Sequence, residues 1–78
     1  MSDINQITGR QLAAARALTG LDQTDLAKLA NVSAPTLRRM EATKENGVAM
    51  SNNVAAVIRA LEAAGVEFIN HSGVRLRV

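Results

Sequence analysis

Few side chains in this chain of 78 residues could take part in a reaction. It has no Cys, and its single His, His71, falls in a predicted turn with no nucleophile or metal ligand close in sequence. Helix capping, ion pairing and surface exposure explain four carboxylates: Asp22, Asp25, Glu41 and Glu62. No Gly-rich phosphate loop is present. The chemistry that remains is binding, and we expect no enzyme, no cofactor and no metal site.

Arginine dominates the basic residues, because seven of the nine basic side chains are Arg. The net charge is +2 and the isoelectric point is near 9.9, a mild basic bias that permits nucleic-acid binding without arguing strongly for it. No apolar run approaches the roughly 20 residues of a membrane span, and residues 1–6 lack a signal-peptide pattern. The absence of Cys fits a reducing compartment. We therefore expect a cytoplasmic protein with no membrane partner.

Two short helices joined by a tight turn are predicted for residues 20–41. The first covers residues 23–30, the turn is Asn31-Val32, and the second begins at residue 33 or 34 and reaches about residue 42. Asn is suited to the turn because it tolerates left-handed backbone. Pro35 disfavours a helical conformation in the residue before it, so the second helix is expected to begin late.

Two longer helices flank this pair. Thr8 caps a helix over about residues 9–18, Gln11 completes a capping box, and Gly20 ends the helix. The other helix covers residues 52–64. Its apolar residues at core spacing are Val54, Val57, Ile58 and Leu61.

After Gly65 the spacing of apolar residues changes from helical to alternating, around a turn at residues 70–73. The pattern predicts a β-hairpin whose inner side carries Val66, Phe68, Val74, Leu76 and Val78. Two strands alone are unstable in water. We therefore expect the hairpin to pack on helices, such as the spare apolar face of the first helix at Ala13, Ala17 and Leu18, or to pair with a second chain.

The predicted helix pair resembles the Cro-like helix-turn-helix family, also called the XRE family of bacterial and phage regulators. The matching segments are Gly20-Leu21-Asp22-Gln23, Asp25-Leu26-Ala27, Asn31-Val32-Ser33, Pro35-Thr36-Leu37 and Met40-Glu41. The resemblance covers residues 8–64 and implies an all-α domain of four to five helices, the fifth being a short turn within residues 43–50. Residues 1–7 would form a flexible lead, and residues 65–78 a C-terminal β-hairpin extension of the same domain.

The resemblance also implies a role for each matching residue. Gln23 would contact a DNA phosphate, which the free N–H groups of a helix N-terminus favour. The outward side of the second helix and the residue just past it would bind DNA through Ser33, Ala34, Thr36, Arg38, Arg39 and Lys44. Arg39 would grip a guanine edge, while Arg38 and the residue past the helix would hold phosphates. Arg16 and Glu41 would form a structural ion pair between the first helix and the recognition helix.

The function implied is a sequence-specific DNA-binding transcription regulator, such as a small repressor or a control protein of a phage or mobile element. Its partner would be double-stranded DNA, bound by a homodimer. The alternative is a helix-turn-helix fold repurposed for protein binding, because Ala34 and Pro35 offer bases no hydrogen bonds. Such a protein would be an antiactivator that sequesters another transcription regulator, or an antitoxin-like partner. The apolar surface of the first helix and the hairpin would form either the dimer contact or a docking site for another protein, through Leu18, Phe68, Leu76 and Val78.

Overall fold

The structure, a computed structural model, describes residues 7–43, 51–69 and 73–77. Its elements in chain order are α1 (Gly9–Thr19), α2 (Gln23–Ala30), α3 (Ala34–Glu41), α4 (Asn52–Ala63), β1 (Val66–Phe68) and β2 (Val74–Leu76). The strands form one antiparallel sheet in the register Val66↔Leu76, Glu67↔Arg75 and Phe68↔Val74. Across the described residues, four helices and this small sheet confirm the predicted fold class. The short turn expected within residues 43–50 lies outside the description apart from Thr43.

Local hydrogen bonds set both ends of α1 as the sequence predicts. The Thr8 hydroxyl accepts the N–H of Gln11 at 3.1 Å, and the Gln11 side chain accepts the N–H of Thr8 at 3.0 Å. Gly20 adopts the left-handed conformation, with φ 78°, and its N–H donates to the carbonyl of Ala17. The helix extends to Thr19, one residue past the predicted end.

The turn between α2 and α3 forms at Asn31, whose φ of 59° is positive. The N–H of Val32 donates back into α2 at 2.9 Å, which closes the turn. Ser33 is extended and caps α3 by accepting the N–H of Thr36 at 3.2 Å. The expected delay of α3 by Pro35 is wrong, because the helix begins directly after Ser33. A proline only biases the residue before it, and here the cap outweighs that bias.

A single apolar core lies between the helices and the hairpin. Its buried residues are Ile7, Leu12, Ala15, Leu26, Ala27, Ala30, Leu37, Met40, Val54, Val57, Ile58, Leu61 and Val66. The four residues predicted at core spacing in α4 are among them. Ile7 corrects the expectation of a flexible lead over residues 1–7, because its side chain is buried and belongs to the core. Residues 1–6 lie outside the described part of the chain.

The hairpin packs against α1, and β1 also packs against α4. Val66 is fully buried, while Phe68 and Val74 are half-buried against the core. On the spare apolar face of α1, however, Ala17 and Leu18 remain exposed and Ala13 is half-buried. The expectation that the hairpin covers this face is therefore only partly correct: the hairpin meets α1, but from the core side.

Candidate nucleic-acid interface

α3 turns Leu37 and Met40 inward and its two arginines outward. Leu37 and Met40 are buried three residues apart, which fixes the rotation of the helix about its axis. Arg38 and Arg39 are exposed on the opposite side, and the N-cap Ser33 is exposed just before the first turn of the helix. This edge of α3 is the one that a helix-turn-helix domain presents to a DNA major groove.

The first turn of α3 offers few groups to a base. Ala34 is half-buried and apolar, and Pro35 is exposed but has no N–H. The Ser33 hydroxyl donates to the Thr36 hydroxyl oxygen at 2.8 Å while it accepts the Thr36 N–H. These two hydroxyls are therefore already engaged with each other, and the strongest donors of the outward edge are the two arginines that follow.

Arg38 and Arg39 are available for a ligand. Among the described residues, neither guanidinium makes a hydrogen bond or an ion pair. A guanidinium carries five N–H donors in a planar fork that matches phosphate oxygens or the O6 and N7 atoms of guanine. Arg39 also lines an open groove of about 340 Å³ between α3 and the start of α4, whose rim includes the exposed Ser51 and Asn53. Neither residue was predicted from the sequence to belong to this surface.

A polar network beneath α3 joins three parts of the fold at Glu41. The Arg16 guanidinium donates from Nε to Oε2 of Glu41 at 2.8 Å and from Nη2 to Oε1 at 3.0 Å. Its Nη1 donates to the carbonyl of Leu21 at 3.2 Å. The Gln23 amide donates to the same Oε1 at 3.0 Å. The last residue of α3 is thereby tied to α1, to the α1–α2 linker and to the start of α2.

The surroundings of Arg16 in this network favour the charged form of its guanidinium. The hydrogen bond to Glu41 raises the pKa of Arg16 above its ordinary value. Partial burial acts in the opposite direction, and the negative charges of Glu41 and Asp22 add to the increase. Arg16 therefore keeps its positive charge throughout the physiological range, where its role is to hold α3.

Gln23 has a structural role that was not predicted from the sequence. It was expected to contact a DNA phosphate, and its side chain instead donates to Glu41 in the free protein. The pairing joins residues 18 positions apart on different helices, so no local pattern signals it. Gln23 is still the first residue of α2, where the backbone N–H groups lack helical partners. Its contact with phosphate stays a prediction.

The remaining candidate residues divide between exposed, packed and undescribed positions. Leu18 and Leu76 are each 43% exposed, whereas Phe68 is half-buried against the core. Lys44 and Val78 lie outside the described residues. Two further apolar side chains are exposed and were not predicted: Leu29 and Ile69. Leu29 was overlooked although its position in the helical repeat places it off the inner face of α2.

The described residues contain neither a cluster of metal ligands nor a membrane-spanning helix. Over residues 7–43, 51–69 and 73–77, no three His, Cys, Asp or Glu side chains converge in a way that would hold a metal ion. In the same part of the chain, no helix is long and apolar enough to cross a membrane.

Comparison with known families agrees with the geometry of α2 and α3. The sequence model of a family described as a helix-turn-helix domain matches residues 8–68, which is most of the chain. The chain belongs to this family, a DNA-binding and non-enzymatic class of protein, and the resemblance to Cro-like regulators is confirmed. No curated protein matches the chain.

Proposed function

We propose that the protein is a sequence-specific transcription regulator that inserts α3 into the major groove of double-stranded DNA. The observation that carries the proposal is a pair of exposed arginines that have no partner within the described part of the chain, at the end of a helix whose opposite face is buried. Arg39 reads a guanine, and Arg38 holds a phosphate together with Lys44. Ser33, Ala34 and Thr36 border the bases at the other end of α3.

The size of the domain supports a homodimer. Its longest dimension is 30 Å, which is shorter than the roughly 34 Å between half-sites one helical turn apart. One copy therefore reaches one half-site, and two copies are needed to contact both. A dimer of so small a domain suits a repressor or control protein, for instance of a phage or mobile element, acting on the chromosome in the cytoplasm.

Titration with duplex DNA tests the proposal. Duplexes are first selected from a random pool by the wild-type protein, and binding is then measured by fluorescence anisotropy between about 0.05 and 0.2 M salt. Arg39→Ala should weaken binding to the selected duplex by roughly tenfold to a hundredfold and relax one base preference. Arg59→Ala is the matched control, because Arg59 is exposed on α4 and makes no ion pair among the described residues.

Two outcomes would overturn the proposal. The wild-type protein could select no sequence from the pool, or Arg39→Ala could weaken selected and scrambled duplexes by the same factor. The second outcome would reduce Arg39 to a phosphate contact, since a phosphate is common to every sequence.

Two exposed leucines favour a second candidate, a helix-turn-helix domain that acts by binding another protein. Leu18 and Leu76 are each 43% exposed, and Ala34 and Pro35 limit readout by the first turn of α3. The partner would be a transcriptional activator held inactive, or the toxin of an antitoxin-like pair. This candidate is favoured if replacing both α3 arginines by Ala leaves regulation in cells intact while Leu18→Asp and Leu76→Asp abolish it.

A further inference from the structure

Gly9 lies where the backbone of α1 comes closest to the end of α3. A methyl group built on its Cα would lie within 3.0 Å of the carbonyl oxygens of Met40 and Glu41 and of the Thr43 hydroxyl oxygen. Carbon and oxygen atoms pack without repulsion only beyond about 3.4 Å. Two of the three obstructing atoms belong to the backbone, so no change of side-chain rotamer would relieve the overlap.

The end of α3 is the part that would have to move. α1 is held by the hairpin, by α4 and by its buried residues Leu12 and Ala15. α3 is shorter, has two buried residues and packs mainly against α1 and α2. Its beginning is fixed by the turn at Asn31 and the cap at Ser33. A side chain at Gly9 would therefore tilt α3 about its first turn.

A side chain at Gly9 would displace the end of α3 only slightly, but hydrogen bonds to bases are sensitive to a displacement of that size. Restoring ordinary contact distance requires the end of α3 to move by about 1 Å. Because eight residues of helix are about 12 Å long, this movement tilts α3 by about 5° and carries Arg39 by a similar distance. A shift of about 1 Å is enough to spoil the paired hydrogen bonds of a guanidinium with guanine.

We infer that Gly9 is a positioning residue, whose missing side chain sets the angle at which α3 meets DNA and thereby the base selectivity of the protein. The effect on base selectivity rests on the proposed DNA-binding function. The effect on the angle of α3 rests on the structure alone. Gly9 itself acts only through α3, since outside α1 the atoms nearest to the position of an added Cβ are those of residues 40, 41 and 43.

The test compares Gly9→Ala with Gly65→Ala. The second variant is a matched control, because Gly65 has a φ of 106° and an added methyl there is strained but meets no atom within 4 Å. Gly9→Ala should lower the ratio of affinities for selected and scrambled duplexes at least tenfold, while its affinity for the scrambled duplex stays within about twofold. Gly65→Ala should leave the ratio unchanged at a comparable loss of thermal stability.

A second measurement keeps the angle separate from DNA binding. Residual dipolar couplings of the α3 amides in the free protein should report the tilt in Gly9→Ala and none in Gly65→Ala. Unchanged couplings in Gly9→Ala would overturn the inference whether or not the protein binds DNA. A tilt with an unchanged affinity ratio would overturn the role in selectivity. Failure of the wild-type protein to select any duplex would instead count against the proposed function, and the couplings would still decide the angle.

Gly9→Ala could also fail to fold. The double variant Gly9→Ala with Thr43→Ala then takes its place, with Thr43→Ala alone as its control. It removes the one obstructing side-chain atom and keeps the two carbonyl oxygens, so the tilt should persist. Couplings identical to those of Thr43→Ala would overturn the inference.

Discussion

Two ion pairs of equal length stand in very different surroundings. Arg16 and Glu41 meet at 2.8 Å with side chains 21% and 7% exposed, and Arg75 and Glu67 meet at 2.8 Å with side chains 65% and 44% exposed. The first pair joins two helices across 25 residues, whereas the second joins neighbouring strands across 8. Contact distance alone therefore does not measure how much an ion pair contributes to stability. Burial and the elements joined decide it.

The same comparison applies to the exposed arginines, which differ in whether their guanidinium groups already have partners among the described residues. Arg75 is occupied by Glu67, and Arg77 donates to the carbonyl of Glu62 at 3.1 Å. Arg38 and Arg39 have no such partner among the described residues, so a ligand need not displace one. Exposed arginines on the hairpin are therefore poorer candidates for DNA contact than those on α3, although both lie on the surface.

Arg16→Ala should have the largest effect on stability. It leaves the Glu41 carboxylate in a largely buried place without its counter-charge, and we expect a loss of about 3 kcal/mol in the free energy of unfolding. Urea denaturation followed by circular dichroism measures it. Since a domain of this size has only about 5 kcal/mol in total, Arg16→Lys, which keeps the charge, should lose less and serves as the second variant. A loss below about 1 kcal/mol for Arg16→Ala would show that burial does not distinguish the two pairs.

Gln23→Ala should have the next largest effect on stability, because the Gln23 side chain also donates a hydrogen bond to Glu41. A hydrogen bond to a charged group contributes about 1.5 kcal/mol, and we expect a loss of that size in urea denaturation. Gln23→Glu should lose more, since it places a second negative charge beside Glu41. Unchanged stability in Gln23→Ala, combined with weaker DNA binding, would assign Gln23 to phosphate contact alone.

Arg75→Ala should have a small effect. Exposed pairs contribute about 0.5 kcal/mol, and the loss should shrink further when measured in about 1 M salt. Glu67→Gln is the matched control and should behave in the same way. If the free energy of unfolding of either variant fell by more than about 1 kcal/mol, the exposed Arg75–Glu67 pair would contribute more to holding the hairpin than its exposure predicts.

The smallest expected effect is that of pH on the stability contributed by the Arg16–Glu41 pair. A raised pKa in the folded state makes the stability from Arg16 complete below the unfolded-state pKa. That stability is lost only as the pH rises through the folded-state pKa, in strongly alkaline solution. The difference in unfolding free energy between the wild-type protein and Arg16→Lys should therefore stay constant between about pH 6 and 9. A decline within this window would point to another titrating group.

Local signals explain why most of the fold could be predicted. The capping box at Thr8 and Gln11, the left-handed turn at Asn31 and the cap at Ser33 each depend on residues within a few positions of one another. Ile7 was missed because its direct neighbours in the sequence are polar and it lies before the first predicted helix.

The candidate site was less predictable because its support is not local. The exposed edge of α3 follows from helical spacing, so Arg38 and Arg39 could be placed from the sequence. The contact of Gln23 with Glu41 and the approach of Gly9 to the end of α3 depend on how distant helices pack. Sequence spacing within one helix carries no information about either.

Gln11 links the two ends of the described chain. Its buried amide accepts the N–H of Thr8 and donates to the carbonyl of Gly73 at 3.2 Å, so it bridges the start of α1 and the second strand. Separation of the hairpin from α1 would remove one partner of this amide and loosen the first helical turn with it. We therefore expect the two ends of the described domain to open together in local unfolding, so that hydrogen exchange gives their amide protons a common free energy of opening although 62 positions separate Gln11 from Gly73.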